Sequence, residues 1–189
     1  LVTALRPDAG IGLGSDVFVG RFTGTTNFVF VAAPGAPSPF IVDAAGSALR
    51  PMLDLWPAVT AIEPATLPGG FGLVFGQPTL SRAVGVLPSS PSLPVTSSWT
   101  ADRFVTCSPD SGVGRVVATG DLDLDLIDDV ALSNPEANTV AVGLSGDTYR
   151  CITVPTPMDL GPAAAFGKAL AIRGFGGAAR LVVGAPGAE

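Results

Sequence analysis

The chain has 189 residues, a formal net charge of −6 and no histidine, with 47% hydrophobic and only 14% charged residues. Apolar material for a core is plentiful, whereas the scattered arginines and the single lysine, Lys168, supply no basic face for a phosphate backbone. Without histidine a serine or cysteine nucleophile has no histidine base and no histidine zinc site forms, and no apolar run reaches the roughly 18 residues of a membrane span.

Glycine (24) and proline (18) are abundant in a hydrophobic sequence, which predicts many turns between short strands. Gly10-Ile11-Gly12-Leu13-Gly14 has the look of a phosphate-binding turn, but a strand-like segment follows it rather than a helix, so a plain turn is expected. The first predicted pair of strands is Val17-Phe18-Val19-Gly20 and Asn27 to Val31, ending at Ala32-Ala33-Pro34, with a weaker strand over Pro39 to Asp43. Next come Ala58 to Ile62, Leu73 to Gly76 before Gln77-Pro78, and Arg82 to Leu87. An extended connection over Pro88 to Pro94 leads to an outer strand at Arg103 to Cys107. Trp56 and Trp99, ahead of the second and third units, are expected to pack between layers rather than stack on a ligand. A third group comprises Val113 to Gly120, Asp129 to Ser133 before Asn134-Pro135, Thr139 to Gly143, and an outer strand over Tyr149 to Val154. The last comprises Phe166 to Gly174, a glycine-rich turn at Gly174-Phe175-Gly176-Gly177, and Arg180 to Gly184 before Ala185-Pro186.

These groups repeat. Val31-Ala32-Ala33-Pro34, Phe75-Gly76-Gln77-Pro78, Leu132-Ser133-Asn134-Pro135 and Val183-Gly184-Ala185-Pro186 recur at intervals of about 50 residues, each preceded by the same order of parts. The pattern resembles the FG-GAP family, the blade repeat of integrin α-chain β-propellers and of many secreted bacterial proteins. Phe166-Gly167 and Gly184-Ala185-Pro186 match its name-giving motifs outright. The resemblance implies an all-β fold of propeller-type blades, with units near 10–50, 51–105, 106–160 and 161–189 in one region spanning the chain. Propellers of this family usually close with seven blades, so four units are read as part of a larger propeller, and Leu1, not a methionine, as the start of a mature or excised fragment. If the chain instead closes on itself, Leu1 to Leu5 is the segment that would complete the last unit.

Asp121-Leu122-Asp123-Leu124-Asp125-Leu126-Ile127-Asp128-Asp129 occupies the position where this family places a calcium loop of the form DxDxDGxxD. The match implies side-chain ligands from Asp121, Asp123, Asp125 and Asp129 and a main-chain oxygen from Ile127, with Asp128 on a non-ligand position. Alternate acids in a tight loop turn hard oxygens onto one cation, as calcium requires. Related loops usually carry glycine where Leu124 and especially Leu126 stand, because the turn there often needs a positive φ. The plain alternatives are an acidic surface turn, or a strand with the aspartates outward and Leu122, Leu124 and Leu126 inward. Four like charges in so short a stretch repel one another without a cation, which favours the metal. The other units have no such loop, so one calcium site is expected.

Cys107 and Cys151 leave open a disulfide or two free thiols; both fall in predicted outer strands of successive units, where a bridge would tie neighbouring layers. Resemblance to an extracellular family favours the bridge. The dense carboxylates all lie in the metal loop, so no enzyme is expected in this chain. The expected function is a non-catalytic extracellular or cell-surface module for adhesion, binding or assembly, with a protein or matrix-type ligand or self-association as the partner and no nucleic acid. The alternatives are an accessory propeller of a larger secreted enzyme and a structural subunit of a surface filament.

Overall fold

The computed structural model describes residues 14–23, 26–36, 39–43, 49–51, 58–88, 99–106, 112–145, 150–161, 163–175 and 177–188. Short runs of Val, Leu, Phe and Ala cut by Gly and Pro favour strands over helices, and the described residues are all-β, with no α-helix among them. The first sheet contains β1 (Val17–Thr23), β2 (Thr26–Val31), β3 (Phe40–Asp43) and β4 (Leu49–Pro51). The second contains β5 (Ala61–Leu67), β6 (Gly70–Gln77), β7 (Arg82–Pro88) and β8 (Trp99–Thr106). The third contains β9 (Val116–Gly120), β10 (Asp129–Asn134), β11 (Thr139–Leu144) and β12 (Arg150–Val154). The fourth pairs β13 (Ala169–Phe175) with β14 (Ala178–Gly184). Within each sheet the strands lie in chain order and pair antiparallel, and no sheet closes into a barrel.

The sheets stand side by side with their first strands adjacent: β5 neighbours β1 and β9, and β9 also neighbours β13. Side chains alternate between the two faces of a strand, so a sheet with a neighbour on each side must be apolar at every position. This explains why the strands read as continuous apolar runs. On β6, Leu73 and Phe75 join Phe30, Ile41 and Ile62 in a core between the first two sheets, while Val74 joins Val117, Val130 and Leu132 in the next core. On β10, Ala131 turns the other way, into a third core with Ala118, Val142 and Ile172. The outer sheets have no such second neighbour among the described residues: Val17 and Val19 of the first are 51% and 62% exposed, and Val182 of the fourth is 51% exposed.

The recurring proline motif has a physical role. In every unit the carbonyl two residues before the proline accepts an N–H from the turn that leads into the first strand: Gly14 to Ala32 at 2.9 Å, Thr60 to Gly76 at 3.1 Å, Gly114 to Ser133 at 3.1 Å and Gly167 to Gly184 at 2.9 Å. Gly114 and Gly167 hold φ of 110° and 90°, and a Cβ on Gly167 would stand 2.7 Å from Ser133 Cβ. Both the left-handed backbone and the close approach therefore require glycine.

After Pro78 and after Pro135 a single 3₁₀ turn ends in a left-handed residue, Ser81 (φ 50°) and Asn138 (φ 49°). The side chain of each then takes an N–H from the unit that follows: Gly112 donates to Ser81 Oγ at 2.9 Å, and Phe166 donates to Asn138 Oδ1 at 2.7 Å. Successive sheets are thus latched by polar contacts as well as apolar ones.

Four elements differ from the sequence reading, one being β13, which runs on through Gly174 and Phe175, expected in a turn, because both pair with β14 opposite Ala179 and Ala178. The expected strand at Ala58 to Ile62 begins at Ala61 and runs on through Pro64 to Leu67, with Ala58 at φ 58°. Proline is tolerated there because β5 is the edge of its sheet, where a missing donor breaks no ladder. β8 starts at Trp99, opposite Pro88, rather than at Arg103, and β4 was not anticipated. Leu1 to Leu5, Gly10 to Leu13, Trp56, Ser89 to Pro94, Cys107 and Tyr149 lie outside the described residues.

Candidate metal centre

The acidic loop joins β9 to β10, whose register brings Gly120 opposite Asp129. Residues 121–128 do not continue either strand, so the alternating-strand alternative does not apply. Instead the aspartates wind the loop around their own carboxylates. Asp121 accepts the N–H of Asp125 on Oδ1 at 3.0 Å and that of Leu126 on Oδ2 at 2.9 Å. Asp125 accepts the N–H of Ile127 on Oδ1 at 2.8 Å and the hydroxyl of Ser145 on Oδ2 at 2.9 Å. Asp129, buried at the start of β10, accepts the N–H of Leu122 on Oδ2 at 2.7 Å and that of Ser145 on Oδ1 at 2.6 Å.

This winding forces Leu124 and Leu126 to φ of 67° and 73°. Each pays roughly 1–2 kcal/mol for the left-handed region. Leu122 packs against the third core, whereas Leu124 and Leu126 are exposed. The two leucines thus occupy the glycine positions of the resembled loop with the backbone that glycine would adopt.

Asp121, Asp123 and Asp129 each bring a carboxylate oxygen within 4.8 Å of the other two, a group that could hold a metal ion. Asp125 stands outside this trio, its two oxygens engaged by Ile127 and Ser145. Ile127 is half-buried, and its N–H is tied to Asp125. Burial pushes the Asp129 carboxyl above the usual carboxylate range; the N–H groups of Ser145 and Leu122 pull it back, and the charge of Asp123 adds to the rise. Like charges about 4 Å apart repel by roughly 1 kcal/mol per pair even in water, and by more where water is excluded. The donor set, three carboxylates and no nitrogen or sulfur, fits a hard cation such as calcium or magnesium rather than zinc or copper.

Ser145 is absent from the sequence-derived set. It follows β11 and reaches the loop only because β11 lies next to β10, so no local spacing announces it. Asp128, a non-ligand position by sequence, pairs with the second sheet: its N–H donates to Thr66 O at 2.8 Å and its Oδ2 accepts Thr66 N–H at 2.6 Å. Cys151, half-buried on β12 against the second core, is in a disulfide; Cys107, its expected partner, lies outside the described residues.

No protein-family model and no curated protein matches the sequence. No helix among the described residues is long and apolar enough to cross a membrane.

Proposed function

We infer that this chain is a region of an extracellular or cell-surface β-propeller with FG-GAP-like blades, a non-catalytic module for binding, adhesion or assembly in which one blade loop is stabilised by calcium. The observation that carries the reading is the side-by-side order of the sheets through β1, β5, β9 and β13, with the acid-rich loop between the first and second strands of the third. A disulfide at Cys151 supports an oxidising compartment. Calcium bound by Asp121, Asp123 and Asp129 would neutralise their mutual repulsion; Asp125, through Ile127 and Ser145, would position the loop around it. Leu126, 82% exposed, would not obstruct the centre.

Calcium titration by calorimetry on metal-stripped protein tests this, with the melting temperature followed in parallel. Saturable binding near one equivalent together with a higher melting temperature is expected. Absence of binding would reduce the loop to a self-bonded acidic turn. A second reading, a structural subunit of a surface assembly, draws on the exposure of Val17, Val19 and Val182 on the outer sheets, and predicts concentration-dependent association in sedimentation.

A further inference from the structure

At the end of β9 opposite the acidic loop, the residues that lead into the four first strands converge. Thr60, Arg115 and Lys168 each immediately precede a first strand, and Ser15 stands two residues before β1; all four line one cavity of about 290 Å³. Pro34 and Pro135, from the repeated motif, form its apolar wall. Because the four positions are equivalent in the repeat, the cavity follows from the sheet order, while its chemistry is set by the residues placed there.

Two of those residues are cationic in a chain of net charge −6. Arg115 donates to Glu136 Oε1 at 2.6 Å, an exposed pair whose guanidinium makes no other hydrogen bond among the described residues. Lys168, the only lysine, is exposed; its backbone N–H donates to Ala165 O at 3.0 Å, and its ammonium has no hydrogen bond or ion pair among the described residues. Ser15 adds a hydroxyl with no hydrogen bond among the described residues, whereas that of Thr60 is spent on Gly114 O at 2.8 Å. With Glu136 counted, the rim carries one net positive charge. Asp16 and Glu63 line the adjoining cavity, which shares Ser15, Thr60 and Arg115 with this one but not Lys168, so their negative charge disfavours an anion there and leaves the Lys168 side as its place. Exposed, Glu136 already shows Arg115 in contact with a carboxylate, one that a ligand can displace.

We propose that this cavity binds a carboxylate group, held between Arg115 and Lys168 with Ser15 as an additional donor and with Glu136 as its intramolecular competitor. A single carboxylate matches the one net positive charge, and the volume lies at the lower edge of small-ligand sites, enough for an acidic side chain or a small dicarboxylic acid. The proposal gives ligand chemistry to the binding-module reading, and it is separable from the calcium loop at the other end of β9.

The test is calorimetric titration of metal-stripped, desalted protein, because a chelator is itself a carboxylate. Succinate, a capped aspartyl tripeptide and inorganic phosphate are the probes. Saturable binding of succinate or the tripeptide is expected, weakened about tenfold or more by Arg115→Gln and by Lys168→Gln, strengthened by Glu136→Gln, and unchanged by Arg180→Gln on the fourth sheet. Binding of the tripeptide but not succinate would identify a polypeptide source; the reverse would identify a free acid. Phosphate binding as tightly as either, no saturable binding, or binding indifferent to Arg115 and Lys168 would each overturn the proposal. Asp123→Ala, expected to abolish calcium binding, should leave carboxylate binding intact, so the two readings fail independently.

Discussion

Asp128 and Thr66 hold one another by two hydrogen bonds, N–H to carbonyl at 2.8 Å and N–H to carboxylate at 2.6 Å, across the boundary between the second and third sheets. The acidic loop is therefore fastened on its outer side to β5 while it closes on its own carboxylates within. Asp128→Ala removes the carboxylate bond but leaves the backbone bond. It is expected to lower stability by about 1 kcal/mol in urea titration without changing calcium stoichiometry.

The three trio aspartates and Asp125 should separate by whether calcium is present. Asp123 makes no hydrogen bond among the described residues, so Asp123→Ala should lower the melting temperature only in calcium. Asp129→Ala and Asp125→Ala should lower it in either condition, because each strips a partner from the loop backbone or Ser145. Thermal melts of each variant with and without calcium distinguish the classes.

Leu126→Gly should stabilise the protein. The side chain is exposed and its φ of 73° suits glycine, so relief of about 1–2 kcal/mol outweighs the roughly 0.5–1 kcal/mol of backbone entropy that glycine loses. A higher urea midpoint with unchanged slope is the expected result. Gly167→Ala is the converse: its φ of 90° and the contact with Ser133 predict a loss of about 2 kcal/mol or more in the same titration.

Glu63 gives a pH dependence. Burial pushes its carboxyl above the usual range, Asp16 adds to the rise and Arg173 opposes it. The folded state then binds the proton more tightly than the unfolded chain, so ionisation of this group works against folding as pH rises through the window between its unfolded and folded pKa values. Glu63→Gln should raise the melting temperature at neutral pH and leave it unchanged below the unfolded pKa of about 4.3, where the native side chain is protonated in both states.

How much of this was legible in the sequence follows from what is local. The strands were readable because both faces of each inner sheet are buried, which leaves unbroken apolar runs such as Leu73 to Phe75. Pro64 hid the extent of β5, since edge and interior positions look alike until the sheet order is known. The acidic loop was visible from spacing, but the contact of Asp125 with Ser145 was not. Spacing records how often acids recur, not that Ser145, brought in by β11, occupies one carboxylate. The latches of Ser81 and Asn138 and the clasp of Asp128 were invisible for the same reason: each partner lies in a different sheet.

The two-sided burial of β6 and β10 also governs which changes in length the chain can accept. A one-residue insertion within β6 would exchange Val74 with Leu73 and Phe75, spoiling the seams on both sides in a single event. The same insertion in the exposed turn at Pro68 and Gly69 would disturb neither. Length variation in such an array is thus confined to its turns, and the stack itself grows or shrinks by whole sheets.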